Sequence, residues 1–269
     1  VNGKIAKAAD AVIPVYDHGF VYGEGIYETL RTYNRVPFLY DRHVRRLRES
    51  ARHIHLEVPF SDDALLAWIG DTMAAAGEMA EAYIRVLLTR GIGELTYDVR
   101  ATPTPSLIII VKPIDEPSER TVSEGIAIAT VPILRNHPGS VNPIIKSNNL
   151  LNNAIAMQQA NRRGGEEALM CNYRGELSEC SQSNFYMIRA GVLLTPPSEA
   201  GLLEGITRGQ IFVDDQVHPT WAVVREAMYS TLYFGGQINA SLVESLVEHF
   251  HKAGEVGIGC WLDSELNGM

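Results

Sequence analysis

The sequence predicts a mixed α/β protein, and three observations carry that prediction. Short β-rich runs bounded by glycine, proline and asparagine turns recur along the chain, as at residues 25–40, 83–89, 107–111 and 126–132. Between them lie segments with apolar residues at helical spacing, such as Val44, Leu47, Ala51 and Ile54. A polar stretch carrying two prolines, Pro113 to Arg120, separates a first set of these elements from a second. At 269 residues the chain can form one large domain or two modest ones, each with a buried core.

Taken in order, Ala11-Val12-Ile13-Pro14-Val15 is strand-like and ends in Tyr16-Asp17-His18-Gly19. Gly23 and Gly25 open a turn, an alternating strand follows to Tyr33, and Asn34-Arg35-Val36-Pro37 makes a hairpin turn that leads back through Phe38-Leu39-Tyr40. Asp41 can cap a helix from Arg42 to about His55, with Val44, Leu47, Ala51 and Ile54 as its buried stripe and Arg45, Arg46 and Arg48 on other faces. A second helix starts at Ser61, with Asp62 and Asp63 in its favourable first turn. Tyr83–Thr89 and Leu107–Val111 are strands, and the Gly- and Pro-rich segment between them is a long loop of the kind that often carries function. Beyond the polar stretch, Ile126–Pro132 restarts strand structure, and Ala154–Asn161 is helical and stops at Gly164-Gly165. Glu167–Asn172, Asn184–Arg189 and Val192–Thr195 are short strands, and Leu242–His251 is an amphipathic helix.

Composition narrows the function classes. Hydrophobic residues make up 46% and charged residues 20%, as in ordinary globular proteins. A net charge of −9 with no basic tract argues against nucleic acid as a partner, because phosphate backbones need a positive face. No apolar run approaches the ~20 residues of a membrane span, and the first residues lack the pattern of a signal peptide. Cys171, Cys180 and Cys260 are an odd set without metal-type spacing, expected to be free thiols in a reducing cytoplasm. The histidines show no ligand spacing either, so no metal site is expected.

One stretch carries chemistry. Ile144-Ile145-Lys146-Ser147-Asn148-Asn149 places a lysine where an apolar run ends and an asparagine-rich turn begins. Held in a pocket, such a lysine loses solvation, its pKa falls, and its neutral amine can form a Schiff base with an aldehyde. Left in solvent, it is an ordinary surface charge, and this window alone leaves both readings open.

Several further motifs stand in a fixed order around it. They are Tyr22-Gly23-Glu24-Gly25-Ile26-Tyr27-Glu28, His43-Val44-Arg45-Arg46-Leu47, Thr89-Arg90-Gly91, Lys146-Ser147-Asn148-Asn149-Leu150-Leu151 and Glu166-Glu167-Ala168-Leu169. Leu177-Ser178-Glu179-Cys180-Ser181-Gln182-Ser183-Asn184-Phe185, Leu193-Leu194-Thr195-Pro196-Pro197 and Leu203-Glu204-Gly205-Ile206-Thr207-Arg208 complete the set. Any one is weak, but the ordered set is specific. Over roughly residues 1–208 the chain resembles the class IV, or fold type IV, pyridoxal-phosphate-dependent aminotransferases, a family of branched-chain aminotransferases, D-amino acid aminotransferases and aminodeoxychorismate lyases.

The resemblance implies a two-domain α/β fold with pyridoxal 5′-phosphate in the interdomain cleft. Residues 1–115 would form the smaller domain, 116–120 the linker and 121–269 the larger, cofactor-binding domain. Lys146 would hold the cofactor and move the substrate α-proton. Glu179 would face the pyridine nitrogen and keep it protonated. Arg46 would bind the phosphate, together with Gly205, Ile206 and Thr207 at a helix N-terminus. Leu203 would pack on the ring, and Asn184 would order the turn behind Glu179. Thr231 would add a phosphate contact from a turn at Ser230-Thr231-Leu232, although that turn follows Arg208 sooner than in the family. For the substrate, Tyr27 and Leu151 resemble the D-amino acid enzymes, yet residues 92–97 lack those enzymes' Arg-x-His carboxylate trap, which leaves Arg90, or Arg100 further along, as a replacement or as ordinary surface charges. The implied activity is amino-group transfer between an α-amino acid, branched-chain or otherwise apolar or of D configuration, and a 2-oxo acid such as 2-oxoglutarate. A lyase that releases pyruvate from aminodeoxychorismate shares the same residues and is the alternative. The family works as homodimers, which implies a second copy of this chain as partner.

Overall fold

The computed structural model describes residues 1–189, 192–203, 205, 210–213, 221–226 and 231–236. Residues 11–14 have no regular structure and Val15 opens a turn, and no strand pairing of residues 11–15 occurs among the described residues, so the strand expected there is not formed. Their apolar side chains Val12, Ile13 and Val15 stay exposed. The short helix α1 (His18–Val21) follows, capped by Asp17, whose carboxylate accepts the Gly19 N–H. Strand β1 (Gly25–Tyr33) turns at Asn34 and Arg35, both at positive φ, into the two-residue β2 (Val36–Pro37).

Helix α2 (Tyr40–His53) begins two residues earlier than expected, with Leu39 in the left-handed region at its N-cap and Asp41 inside the first turn rather than capping it. Its buried face is Val44, Leu47 and Ala51 together with His43 and Ser50, two polar residues that serve the site. Ser61 caps α3 (Asp62–Ala76) by accepting the Ala64 N–H. Strands β3 (Ala82–Thr89) and β4 (Ser106–Pro113) complete an antiparallel sheet in the order β2-β1-β3-β4. One face of it, including Ile26, Leu30, Ile84, Val86, Leu88 and Leu107, packs on Val44, Leu47, Leu65 and Ile69 of the helices to form the first core.

The β3–β4 loop is fixed at Gly91. Its φ is +95°, and a Cβ there would lie 1.9 Å from the Thr104 carbonyl oxygen, so only glycine fits.

The polar stretch after β4 is irregular only to Ser118, which caps α4 (Glu119–Glu124), so a helical turn occupies the end of the expected linker. Strand β5 (Ile128–Leu134), helix α5 (Leu151–Asn161) and β6 (Glu167–Cys171) then form a parallel β-α-β unit, and β7 (Leu177–Cys180) pairs antiparallel to β6. A second core gathers Val131, Ala156, Ala160, Ala168 and Met170 between α5 and these strands. The hairpin β8 (Met187–Arg189) and β9 (Val192–Leu194) follows, then a three-stranded antiparallel sheet of β10 (Gln210–Val213), β11 (Trp221–Glu226) and β12 (Thr231–Gly236). The apolar run after Arg208 is therefore a strand, where a helix was expected. The helix expected at 242–251 lies outside the described residues.

Lys146 stands in the crossover between β5 and α5, beyond the carboxyl end of a parallel strand, the usual location of ligand sites in such units. No strand leads into it. Instead a turn (Ile145 N–H to Asn142 O, 3.0 Å) delivers it against the start of β1.

Candidate active site

Lys146 is tied to the first core through its backbone. Its carbonyl accepts the Tyr27 N–H at 2.9 Å, its N–H donates to Ser50 Oγ at 3.1 Å, and Asn148 N–H donates to the Gly25 carbonyl at 3.1 Å. β1 and α2 thus fix the lysine from one side while its own crossover holds it from the other. The side chain is partly buried, with Nζ 4.5 Å from the Tyr27 ring centroid. Burial lowers its pKa to about 8, Arg46 and Arg85 push the same way, and the carboxylates of Glu28 and Glu179 resist. This is the pocket-held lysine of the two readings that the sequence left open.

Arg46 lies on α2 and lines a cavity of about 500 Å³ with Arg42, Arg45, Ser50, Leu203 and Gly205. Its Nε and Nη2 donate to Glu28 of β1 at 2.6 and 2.8 Å, and His43 Nδ1 lies 2.8 Å from the same carboxylate. Glu28 is 2% exposed. Burial pushes its pKa up, but the hydrogen bonds from Arg46 and His43 outweigh that and hold it below the usual carboxylate range.

Glu179, on β7, is also buried. Arg135 Nε donates to its Oε1 at 2.6 Å and the Leu203 N–H to its Oε2 at 3.1 Å. Here burial wins over Arg135 and the carboxyl pKa is raised. Arg135 carried no sequence signal: it is a lone arginine just past a strand, outside every motif.

Tyr27 faces the lysine, and Arg85 of β3 lies 4.3 Å from the other partner in this cluster, the Tyr27 ring. Burial raises the phenol pKa, so Tyr27 remains an O–H donor. Arg85 was likewise not singled out by sequence, although its alternation on β3 places it beside Tyr27 of β1. Its Nε is buried without a hydrogen-bond partner among the described residues.

The structure gives Arg90 a different task from the substrate contact expected of it. It is 5% exposed, and its guanidinium donates to Glu24 and to the carbonyls of Ile54 and His55, which clasps the start of the β3–β4 loop onto α2. Arg100 is a surface charge paired with Asp98. Ile206 and Thr207 lie outside the described residues, as does Ser230. Thr231 opens strand β12 rather than standing in a turn.

The donor set fits pyridoxal phosphate. An amine held near pKa 8 suits an aldehyde, a carboxylate with unfilled lone pairs suits a protonated ring nitrogen, and a cavity lined by Arg42, Arg45 and Arg46 suits a phosphate. Among the described residues no cluster of histidine, cysteine and carboxylate side chains could hold a metal ion.

Comparison with known proteins agrees. Residues 25–227 match the family described as amino-transferase class IV. The chain is 34% identical over 208 residues to a Methanocaldococcus jannaschii protein whose name assigns it provisionally to the branched-chain-amino-acid aminotransferases, covering 77% of this chain and 71% of the relative. It is 33% identical over 217 residues to the D-alanine aminotransferase of Listeria innocua, covering 80% and 72%. The crystal structure of the branched-chain aminotransferase from Thermoproteus uzoniensis superposes with a TM-score of 0.74 at 26% identity, over 94% of both chains. The chain therefore belongs to the class IV aminotransferases, and it is a pyridoxal-phosphate-dependent transaminase.

Proposed function

We propose that this enzyme moves the amino group reversibly between an apolar α-amino acid and a 2-oxo acid such as 2-oxoglutarate, with the cofactor in a cleft between a domain of residues 1–115 and one of residues 121–269. The observation that carries this reading is Lys146: one amine, depressed by burial to about pKa 8, within the electrostatic reach of Arg46, Glu28 and Glu179. When bound, pyridoxal phosphate supplies an aldehyde for that amine and an electron-poor ring that takes up charge from the substrate Cα. Lys146 would hold the cofactor, and its amine would carry the proton to and from the substrate Cα. Glu179 would accept the ring N–H. Arg46, kept in place by Glu28, meets the phosphate with Gly205, Ile206 and Thr207. Tyr27 directs its O–H toward the substrate carboxylate. Leu203 closes the cavity wall beside Glu179. Arg85, with an unsatisfied buried N–H, supports an acceptor that brings a second carboxylate.

The active form is a homodimer in the cytoplasm. Segment 12–20 and the β3–β4 loop meet at an Asp17–Ile92 bridge and expose Val12, Val15, Phe20, Leu95 and Tyr97 together, an apolar surface that a second copy would cover.

Half-reactions test the proposal. The loaded enzyme is mixed with L-leucine or with D-alanine, and loss of the cofactor's aldehyde absorbance is followed. Conversion by either donor supports transamination and assigns the configuration. Conversion by neither, with pyruvate released from aminodeoxychorismate in the absence of an acceptor, would replace transamination by the lyase reaction.

A further inference from the structure

Arg135 immediately follows the last residue of β5, and its own N–H donates to the Cys171 carbonyl at 2.8 Å, which anchors it at the ends of β5 and β6. From there the guanidinium reaches three side chains. Nε donates to Glu179 Oε1 at 2.6 Å, and Nη1 donates to Asn152 Oδ1 at 3.2 Å and Asn153 Oδ1 at 3.3 Å. The two amides are themselves oriented, because Asn152 Nδ2 donates to the Leu134 carbonyl at 2.8 Å and Asn153 Nδ2 to the Ser181 carbonyl at 2.6 Å. Each therefore presents its oxygen to Arg135. The arginine and glutamate side chains are 10% and 8% exposed. Two strands, the first turn of α5 and the turn after β7 thus converge on one buried ion pair.

Oriented support of this kind exceeds what a surface salt bridge needs. A carboxylate has about four lone-pair sites, and Glu179 uses two of them, one for Arg135 and one for the Leu203 N–H. Room for a further donor remains only while the group is ionised and its plane is fixed. Burial works against ionisation, and the opposing influences are Arg135, the Leu203 N–H and Lys146, with Arg135 the strongest. The other titratable neighbour, Cys180, has a thiol pushed up to about 11 by burial and is neutral.

We infer that Arg135 is the positioning residue of the ring-nitrogen end of the site: together with Asn152 and Asn153 it keeps Glu179 ionised and turned to accept the cofactor's N–H. It acts through Glu179. This inference rests on the proposed function and adds a residue that no motif contains.

The test uses the full chain loaded with pyridoxal phosphate. Borohydride trapping on Lys146 in the wild-type protein first establishes the site; its failure would count against the proposed function and not against Arg135 alone. Arg135→Gln is then expected to trap cofactor on Lys146 as fully as wild type. Its cofactor absorbance and half-reaction rate should show an acid limb displaced upward by about one pH unit or more, the size of shift an adjacent opposite charge produces. Arg135→Lys should restore the acid limb toward wild type while leaving the rate reduced, because a point-like ammonium lacks the fork that places Nε on Glu179 and Nη1 on the two asparagines. Asn152→Ala with Asn153→Ala, which leaves the charge in place, covers the case in which Arg135→Gln does not fold, and should lower the rate several-fold. An unchanged acid limb and rate in folded Arg135→Gln, or an unchanged rate in both Arg135→Lys and the asparagine double variant, would overturn the assignment.

Discussion

Glu28 and Glu179 are both buried carboxylates in the electrostatic neighbourhood of Lys146, yet they titrate in opposite directions. Glu28 receives two hydrogen bonds from Arg46 and one from His43, and its pKa falls. Glu179 receives one from Arg135 and one from a backbone N–H, and its pKa rises. Burial is the largest influence on both, so the number of charged donors decides the sign. The difference matches two tasks. Glu28 is saturated and serves as a fixed counter-charge for Arg46. Glu179 is left short of donors and is the one of the pair with capacity for another.

Substitutions should separate the two roles, beginning with the residue they share. Lys146→Ala removes the amine that both carboxylates flank and is expected to lower the half-reaction rate by about 10⁴-fold or more, read by cofactor absorbance after donor is added. Glu179→Gln keeps shape but loses the charge, and should slow the half-reaction by about 10²-fold. It leaves the Arg135 charge buried without its partner, as Glu28→Gln does for Arg46, so each should cost about 3 kcal/mol measured by denaturant unfolding. The two should part in cofactor handling: Glu28→Gln weakens cofactor affinity through the displaced arginine, whereas Glu179→Gln binds cofactor and reacts slowly. If both variants lost cofactor affinity equally, the distinction between a saturated and an unsaturated carboxylate would fail.

The smallest effect is in pH dependence, and its sign follows from the same comparison. Glu28 has a depressed folded pKa, so its contribution to stability is complete above the ordinary glutamate value and is lost as pH falls through the folded one. Glu179 has a raised folded pKa, so ionising it in the neutral range opposes folding. Apo-protein stability measured by thermal unfolding should therefore drop toward acid in wild type, and drop less steeply in Glu28→Gln.

Much of this site is visible in the sequence because its motifs are local. Lys146, Arg46 and Glu179 each sit inside a short run that marks them. What the sequence hides is partnership across elements. Glu28 is two residues into a strand alternation, and nothing local says that its face meets Arg46 and His43 of the next helix. Arg135 belongs to no run at all, and its importance arises only where β5, α5 and β7 converge. Arg90 shows the converse: it is conspicuous in Thr89-Arg90-Gly91, but Glu24 and the helix-end carbonyls of α2 claim its donors. The same limit explains the fold. The helices at 40–53 and 62–76 follow from periodicity and the Ser61 cap, whereas residues 11–15 read like a strand by composition and yet join no sheet among the described residues, because β-rich composition names no pairing partner.

The most direct test of the whole account is chemical. The protein is loaded with pyridoxal phosphate, reduced with borohydride, digested, and the labelled peptide identified by mass spectrometry, with the loading rate followed against pH. The account predicts one label, on Lys146, and a rate that rises with an apparent pKa of about 8 as the amine loses its proton. A label on another lysine, or a rate still climbing toward the ordinary lysine value above pH 10, would contradict it.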